Sequence, residues 1–187
     1  MNTRDNQRSR LTKLLLKKAY IELMQSKSTN KITIKELCEK AELNRTTFYL
    51  HYNEPNDILK NIEDEIIENT ANYISEIGAD INDGAIDYII AFLDYIKEND
   101  KLFRLFLIEN DNPYFKEKFT RFSLKKLLEA LTCAVDEKYK EYILGYMING
   151  CMSIIQTWIE MNYSIRNEEV AMLLFNLCDG ALEGYTK

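Results

Sequence analysis

Leu11, Leu15, Ala19 and Leu23 recur every four residues, and Leu16, Tyr20 and Met24 widen the stripe, so the spacing predicts a first helix from about Asp5 to Gln25. Ser26 to Lys31 is polar and reads as a loop. Thr33 is followed three residues later by Glu36, the signature of a capping box. Ile34, Leu37, Cys38 and Ala41 then give one apolar face of a short second helix. Asn44 is a good N-cap for a third helix over about Arg45 to His51. In it Phe48 is expected to point to the core, with Arg45, Thr46, Thr47 and Tyr49 outside. Pro55 suits the first position of a long fourth helix, because its missing N–H is not needed there. Leu59, Ile62, Ile66, Tyr73 and Ile77 carry the apolar side of that helix to a break at Gly78 to Gly84. Further helices are expected at about 84–98, 100–109, 113–134, 138–163 and 167–185, punctuated by Asn99–Asp100 and Asp111–Asn112–Pro113. No segment sustains the two-residue alternation of a strand. The expected fold class is all-α with about nine helices, divided into residues 1–54 and 55–187.

Two short helices joined by a tight turn, the second dressed in Arg, Thr and Tyr, form a helix-turn-helix pattern. The major groove admits one such helix, and side chains near its N-terminus reach base edges. Arg45 is the best candidate for reading a base, since a guanidinium pairs in a bidentate way with guanine. Thr46 and Thr47 could touch a thymine methyl or a phosphate, and Tyr49 and His51 suit phosphates that set register. Asn44, Thr33 and Lys35, at the two helix starts, complete the candidate DNA-binding set. Plain solvated charge for Arg45, and capping or packing for His51, stay open on sequence alone.

Charge separates the chain into unlike parts. Among its 187 residues, 24 are basic and 30 acidic, a net of −6, which taken whole speaks against a nucleic-acid binder held by bulk charge. Residues 1–60 hold 12 Lys/Arg and 7 Asp/Glu, a net of +5; the rest hold 12 and 23, a net of −11. A basic module on an acidic body is the pattern this suggests. Arg4, Arg8, Arg10, Lys13, Lys17 and Lys18 add phosphate candidates along the first helix.

Several chemistries are poorly provided for. His51 is the single histidine, so a two-histidine metal site is excluded and no nucleophile partner for it is evident. Cys38, Cys133, Cys151 and Cys178 form no C-x-x-C pair and read as reduced, mostly buried thiols, a redox sensor being the lesser reading. There is no Gly-rich phosphate loop. No metal, cofactor or enzymatic activity is expected. The N-terminal residues have no apolar signal region, so the expected compartment is the cytoplasm. Tyr142 to Ile159 carries no charge over 18 positions, yet Asn149, Ser153, Gln156 and Thr157 interrupt it. It is expected to be a helix buried on most sides rather than a membrane span.

The segment Ile32 to Leu59, ITIKELCEKAELNRTTFYLHYNEPNDIL, resembles the TetR/AcrR family of bacterial transcriptional regulators. Thr33, Leu37, Ala41, Phe48, Tyr49, His51 and Tyr52 stand in the places of the family pattern. Glu42 stands where the family usually has glycine, and no lysine opens helix four, where Asn53-Glu54-Pro55-Asn56 is found. The resemblance implies an N-terminal helix-turn-helix domain and a larger helical ligand-binding and dimerisation domain. It implies a homodimer on a palindromic double-stranded operator, acting as a repressor released by a small-molecule effector. A body that answers to a partner protein is the alternative. Phe92, Tyr95, Phe103, Phe106, Phe122, Tyr142, Tyr146 and Trp158 are the candidate ligand-pocket residues. Gly150, Ile154, Trp158, Val170, Leu174, Leu177 and Ala181 are the candidate dimer contacts on the last two helices.

Overall fold

The computed structural model describes residues 3–76, 84–110, 113–123, 135–182 and 185. Among these, the regular elements are helices: α1 (Thr3–Met24), α2 (Ile34–Lys40), α3 (Arg45–Tyr49), α4 (Pro55–Glu76), α5 (Ala85–Glu98), α6 (Asp100–Arg104), α7 (Pro113–Ser123), α8 (Glu137–Glu160) and α9 (Asn167–Gly180). A π-helical turn, Leu105–Glu109, continues α6. The expected all-α fold is therefore the observed one. Cys133, most of the break at 78–84 and the expected helix beyond Ser123 lie outside the described residues. The chain forms two compact units, residues 1–66 and 67–187, with the division inside α4 rather than ahead of it.

In the first unit, α1 packs on α2 and α2 on α3. The buried side of α1 is Thr12, Leu16, Ala19, Tyr20 and Met24, whereas Leu11 and Leu15 are 56% and 36% exposed. This corrects the expected stripe. Steps of four residues advance about 400° around a helix of 3.6 residues per turn, so Leu11–Leu15–Ala19–Leu23 drifts across the surface. Steps of four and three together keep Leu16, Ala19, Tyr20 and Met24 on one side. Leu37, Phe48 and Ile58 complete this core, each fully buried.

In the second unit, α9 lies along α5 and α8 on α7. The core is a chain of aromatic rings. Phe119 stands 5.5 Å from Phe92, 5.2 Å from Phe103 and 5.6 Å from Phe115; Phe115 meets Phe106 at 5.3 Å and Phe103 meets Tyr95 at 5.8 Å. Such ring pairs contribute roughly 0.5–1.5 kcal/mol each beyond the area they bury. Gln156 on α8 donates to the Leu107 carbonyl at 2.6 Å, a partner for the backbone of the π turn. Among the described residues, no helix is long and apolar enough to cross a membrane.

Candidate nucleic-acid interface

Each short helix of the first unit is held at its start by a side chain. The Glu36 N–H donates to the Thr33 hydroxyl at 3.3 Å, while the Thr33 N–H and hydroxyl donate to the Glu36 carboxylate at 3.0 and 2.7 Å. The expected capping box is thus closed. Lys27 also pairs with Glu36. The Lys27 ammonium, and then the Thr33 donors, lower the Glu36 carboxyl from 4.5 to about 2.

Helix α2 ends in a left-handed residue. Glu42 has φ 55°, its N–H donates to the Glu39 carbonyl at 3.3 Å, and the Leu43 N–H donates to the Cys38 carbonyl at 2.9 Å. This paired arrangement is the Schellman motif, in which the left-handed position favours glycine. The turn keeps that geometry with Glu42 in place.

Asn44 then starts α3. Its Oδ1 accepts from the Thr47 N–H at 2.7 Å and from the Thr47 hydroxyl at 2.9 Å. Asn44 and Thr47 therefore engage each other. Phe48 is fully buried and packs edge-on to Tyr49 at 5.5 Å. With Phe48 inward, Arg45, Thr46, Tyr49 and Leu50 are left exposed on a short rigid helix. Arg45 makes no hydrogen bond or ion pair among the described residues, so its guanidinium faces solvent. His51 is half-buried beside this face. Thr33 has its hydroxyl engaged in the capping box, and exposed Lys35 has only Glu39 at 3.8 Å. Of the eight expected DNA-binding residues, Arg45, Thr46, Tyr49 and Lys35 present side chains outward. Asn44, Thr47 and Thr33 shape the backbone that carries them.

The start of α4 is closed to anions. The Asn53 and Glu54 N–H groups both donate to Asp57 Oδ2, at 2.9 and 3.2 Å. These two bonds lower the Asp57 carboxyl below its usual range. A helix N-terminus is a ready phosphate site, but this one already holds a carboxylate, with exposed Glu54 beside it.

The residues expected to line a ligand pocket divide between the core of the second unit and its surface. Phe92, Tyr95, Phe103, Phe106 and Trp158 are buried, and the first four interlock in the ring chain described above. Trp158 instead turns the corner after α8: its Nε1 donates to the Ile165 carbonyl at 2.9 Å and its ring meets Tyr163 edge-on at 4.7 Å. Phe122, Tyr142 and Tyr146 are exposed, Tyr142 by 81%. Tyr142 and Tyr146 join Tyr139, Ile143, Asn176, Leu177, Gly180, Ala181 and Tyr185 around an open groove of about 600 Å³ between α8 and the end of α9.

The expected dimer contacts divide likewise. Trp158, Val170 and Leu174 are buried in their own unit, so they are not free to meet a second copy. The expectation placed them outward because the inner and outer faces of α8 and α9 are both apolar. Leu177 is exposed, and Gly150, Ile154 and Ala181 are partly so. Tyr185, which continues the same stripe, is exposed too, whereas Tyr139 and Leu173, also exposed, were missed. The uncharged run of α8 reads as buried on most sides, yet Tyr142 and Tyr146 at its start are exposed.

A capped helix-turn-helix set on a helical body is the build of a DNA-binding transcriptional regulator. Residues 83–180 match the family model of the TetR-type transcriptional regulator C-terminal region. Among curated proteins none matches the chain by sequence. A TetR transcriptional regulator from Streptococcus agalactiae superimposes with a TM-score of 0.75 at 17% identity, covering 93% of this chain and 97% of that one. The fatty acid degradation regulator FadR from Bacillus halodurans gives 0.61 at 14% identity, covering 91% and 96%. The dihydroxyacetone kinase operon activator DhaS gives 0.58 at 20% identity, covering 94% and 98%. The chain belongs to the TetR family of transcriptional regulators. It is a regulator and not an enzyme.

Proposed function

We propose that this protein is a homodimeric repressor that reads a palindromic operator with α3 and is released by an effector acting on the second unit. The observation that carries the DNA reading is the outer face of α3. Arg45, Thr46 and Tyr49 stand exposed on a helix pinned by the Asn44 cap and the buried Phe48. Rigid placement of that kind is what base reading needs, because a bidentate guanidinium contact tolerates little misorientation. The positive excess of residues 1–60 favours approach to phosphate from this end.

The dimer reading is supported by the outer sides of α8 and α9. Tyr142, Tyr146, Leu173 and Leu177 are exposed apolar residues, and α8 carries no charge from Tyr142 to Ile159. An exposed apolar face of two long helices suits burial against its symmetry mate. A two-fold dimer presents two copies of α3, hence a palindrome.

One observation favours a second reading, in which the effector is a partner protein. The core aromatics of the second unit interlock, and the tyrosine groove opens at the surface. Selection of bound sequences from random duplex DNA tests the main proposal. A palindrome is expected; an asymmetric site, or no enrichment, overturns the dimeric reading of DNA.

A further inference from the structure

Cys151 on α8 and Cys178 on α9 are both buried, and both are free thiols. Their sulfurs lie 3.5 Å apart, close enough to share a hydrogen. The helices bring together two cysteines 27 residues apart in the chain, well outside the DNA-binding unit. A disulfide has its sulfurs near 2.05 Å, so closing the gap takes about 1.5 Å of approach. Side-chain rotation with a small helix adjustment covers that.

A small cavity lies against the pair. It measures about 40 Å³ and is lined by both cysteines with Tyr146, Gly150, Ile154 and Leu177 among its walls. That is room for a water-sized molecule and little more. No heavy atom outside its own helix backbone and chain neighbours comes within 4 Å of where a Gly150 side chain would start, which leaves the approach beside Cys151 open. Two thiols alone fall short of a tetrahedral metal set. Among the described residues no group of three or more His, Cys, Asp or Glu is placed to hold a metal ion.

We infer that Cys151 and Cys178 are a redox-modification site, a dithiol that a small hydroperoxide converts to an intramolecular disulfide. The Cys178 sulfur attacks one peroxide oxygen and the O–O bond breaks. This leaves a sulfenic acid on Cys178 and releases an alcohol, or water from hydrogen peroxide. The Cys151 sulfur then attacks the Cys178 sulfur, and the hydroxyl departs with the Cys151 proton as water. Two thiols are oxidised and one peroxide is reduced by two electrons. Either sulfur can donate the shared hydrogen, so the step balances equally with the two cysteines exchanged. Whichever sulfur accepts the shared hydrogen is the better placed to carry negative charge, and burial pushes against the charged form of either. Burial disfavours both thiolates, so the site is slow and admits only small reagents. The product ties α8 to α9 beneath the tyrosine groove.

The test uses the full wild-type chain. Reduced protein is exposed to hydrogen peroxide, then unfolded and alkylated, and its intact mass and peptides are measured. The expected result is loss of two of the four alkylation sites and a cross-linked peptide joining Cys151 to Cys178. Four alkylated cysteines, a link that runs instead to Cys38 or Cys133, or a link formed only after unfolding would overturn the inference. Cumene hydroperoxide, which is bulkier, is expected to cross-link more slowly than hydrogen peroxide; equal rates would overturn access through the small cavity. Cys178→Ser is expected to abolish the link without adding another.

Discussion

Replacing Glu42 by glycine should make the protein more stable, although it deletes a whole side chain. Glu42 sits at φ 55° in the turn between α2 and α3. A residue with a Cβ in that conformation costs roughly 1–2 kcal/mol, because the Cβ crowds the following carbonyl. Glycine removes that cost but frees the unfolded chain, returning about 0.4–1 kcal/mol. The net gain is about 0.5–1 kcal/mol, or roughly 1–4 °C in Tm if the whole chain melts as one. Charge is the confounder, since the substitution also removes a carboxylate just ahead of α3, the helix proposed to read DNA. Glu42→Ala controls for it: alanine removes the same charge and keeps the Cβ. Thermal unfolding should therefore rank glycine above alanine, and alanine close to the parent. DNA affinity should rise alike in both. Equal melting of the two variants would refute strain in the turn, leaving charge as the cause of any change.

Three other outcomes follow from the first unit. Arg45→Ala should lose discrimination at one base pair by about 1–3 kcal/mol in binding to variant operators; uniform weakening would make Arg45 a phosphate contact. Glu54→Lys should tighten DNA binding and steepen the salt dependence of log K by about one unit, because it sets a cation beside the α4 start that Asp57 closes. The Glu36 carboxyl is lowered in the fold from 4.5 to about 2, so its contribution is present above pH 4.5 and is lost as pH falls towards 2. Denaturant titrations across that window should show Glu36→Gln with a flatter acid limb than the parent; parallel limbs would remove the Lys27 and Thr33 contacts from the account.

The DNA-binding unit was readable because its signals are local. A Thr–Glu pair three residues apart, an Asn before a helix and a Pro after a turn each act on backbone groups within one turn of chain. They were found where the structure has them. The left-handed turn at Glu42 was visible only through the resemblance, since nothing in the residue itself asks for it. Direction was harder. On α1 the even four-residue repeat attracted attention, while burial follows Leu16, Ala19, Tyr20 and Met24. On α8 and α9 both faces are apolar, so periodicity could not separate Trp158, Val170 and Leu174, which turn inward, from Tyr146, Leu173 and Leu177, which do not. The acidic closure of α4 depends on Asp57 reaching back to two N–H groups. Pro55 hinted at the helix start and not at that closure.

Connections between helices are where chains usually gain or lose residues without harm. The corner after α8 is built otherwise. Asn162 and Tyr163 are both left-handed, their N–H groups donate to the Ile159 and Trp158 carbonyls, and the Tyr163 hydroxyl donates to Asp100, which also holds Arg104. One added residue would turn Tyr163 away from both Trp158 and Asp100. This corner should therefore accept substitutions far more readily than insertions, so its length is set by geometry and not by drift.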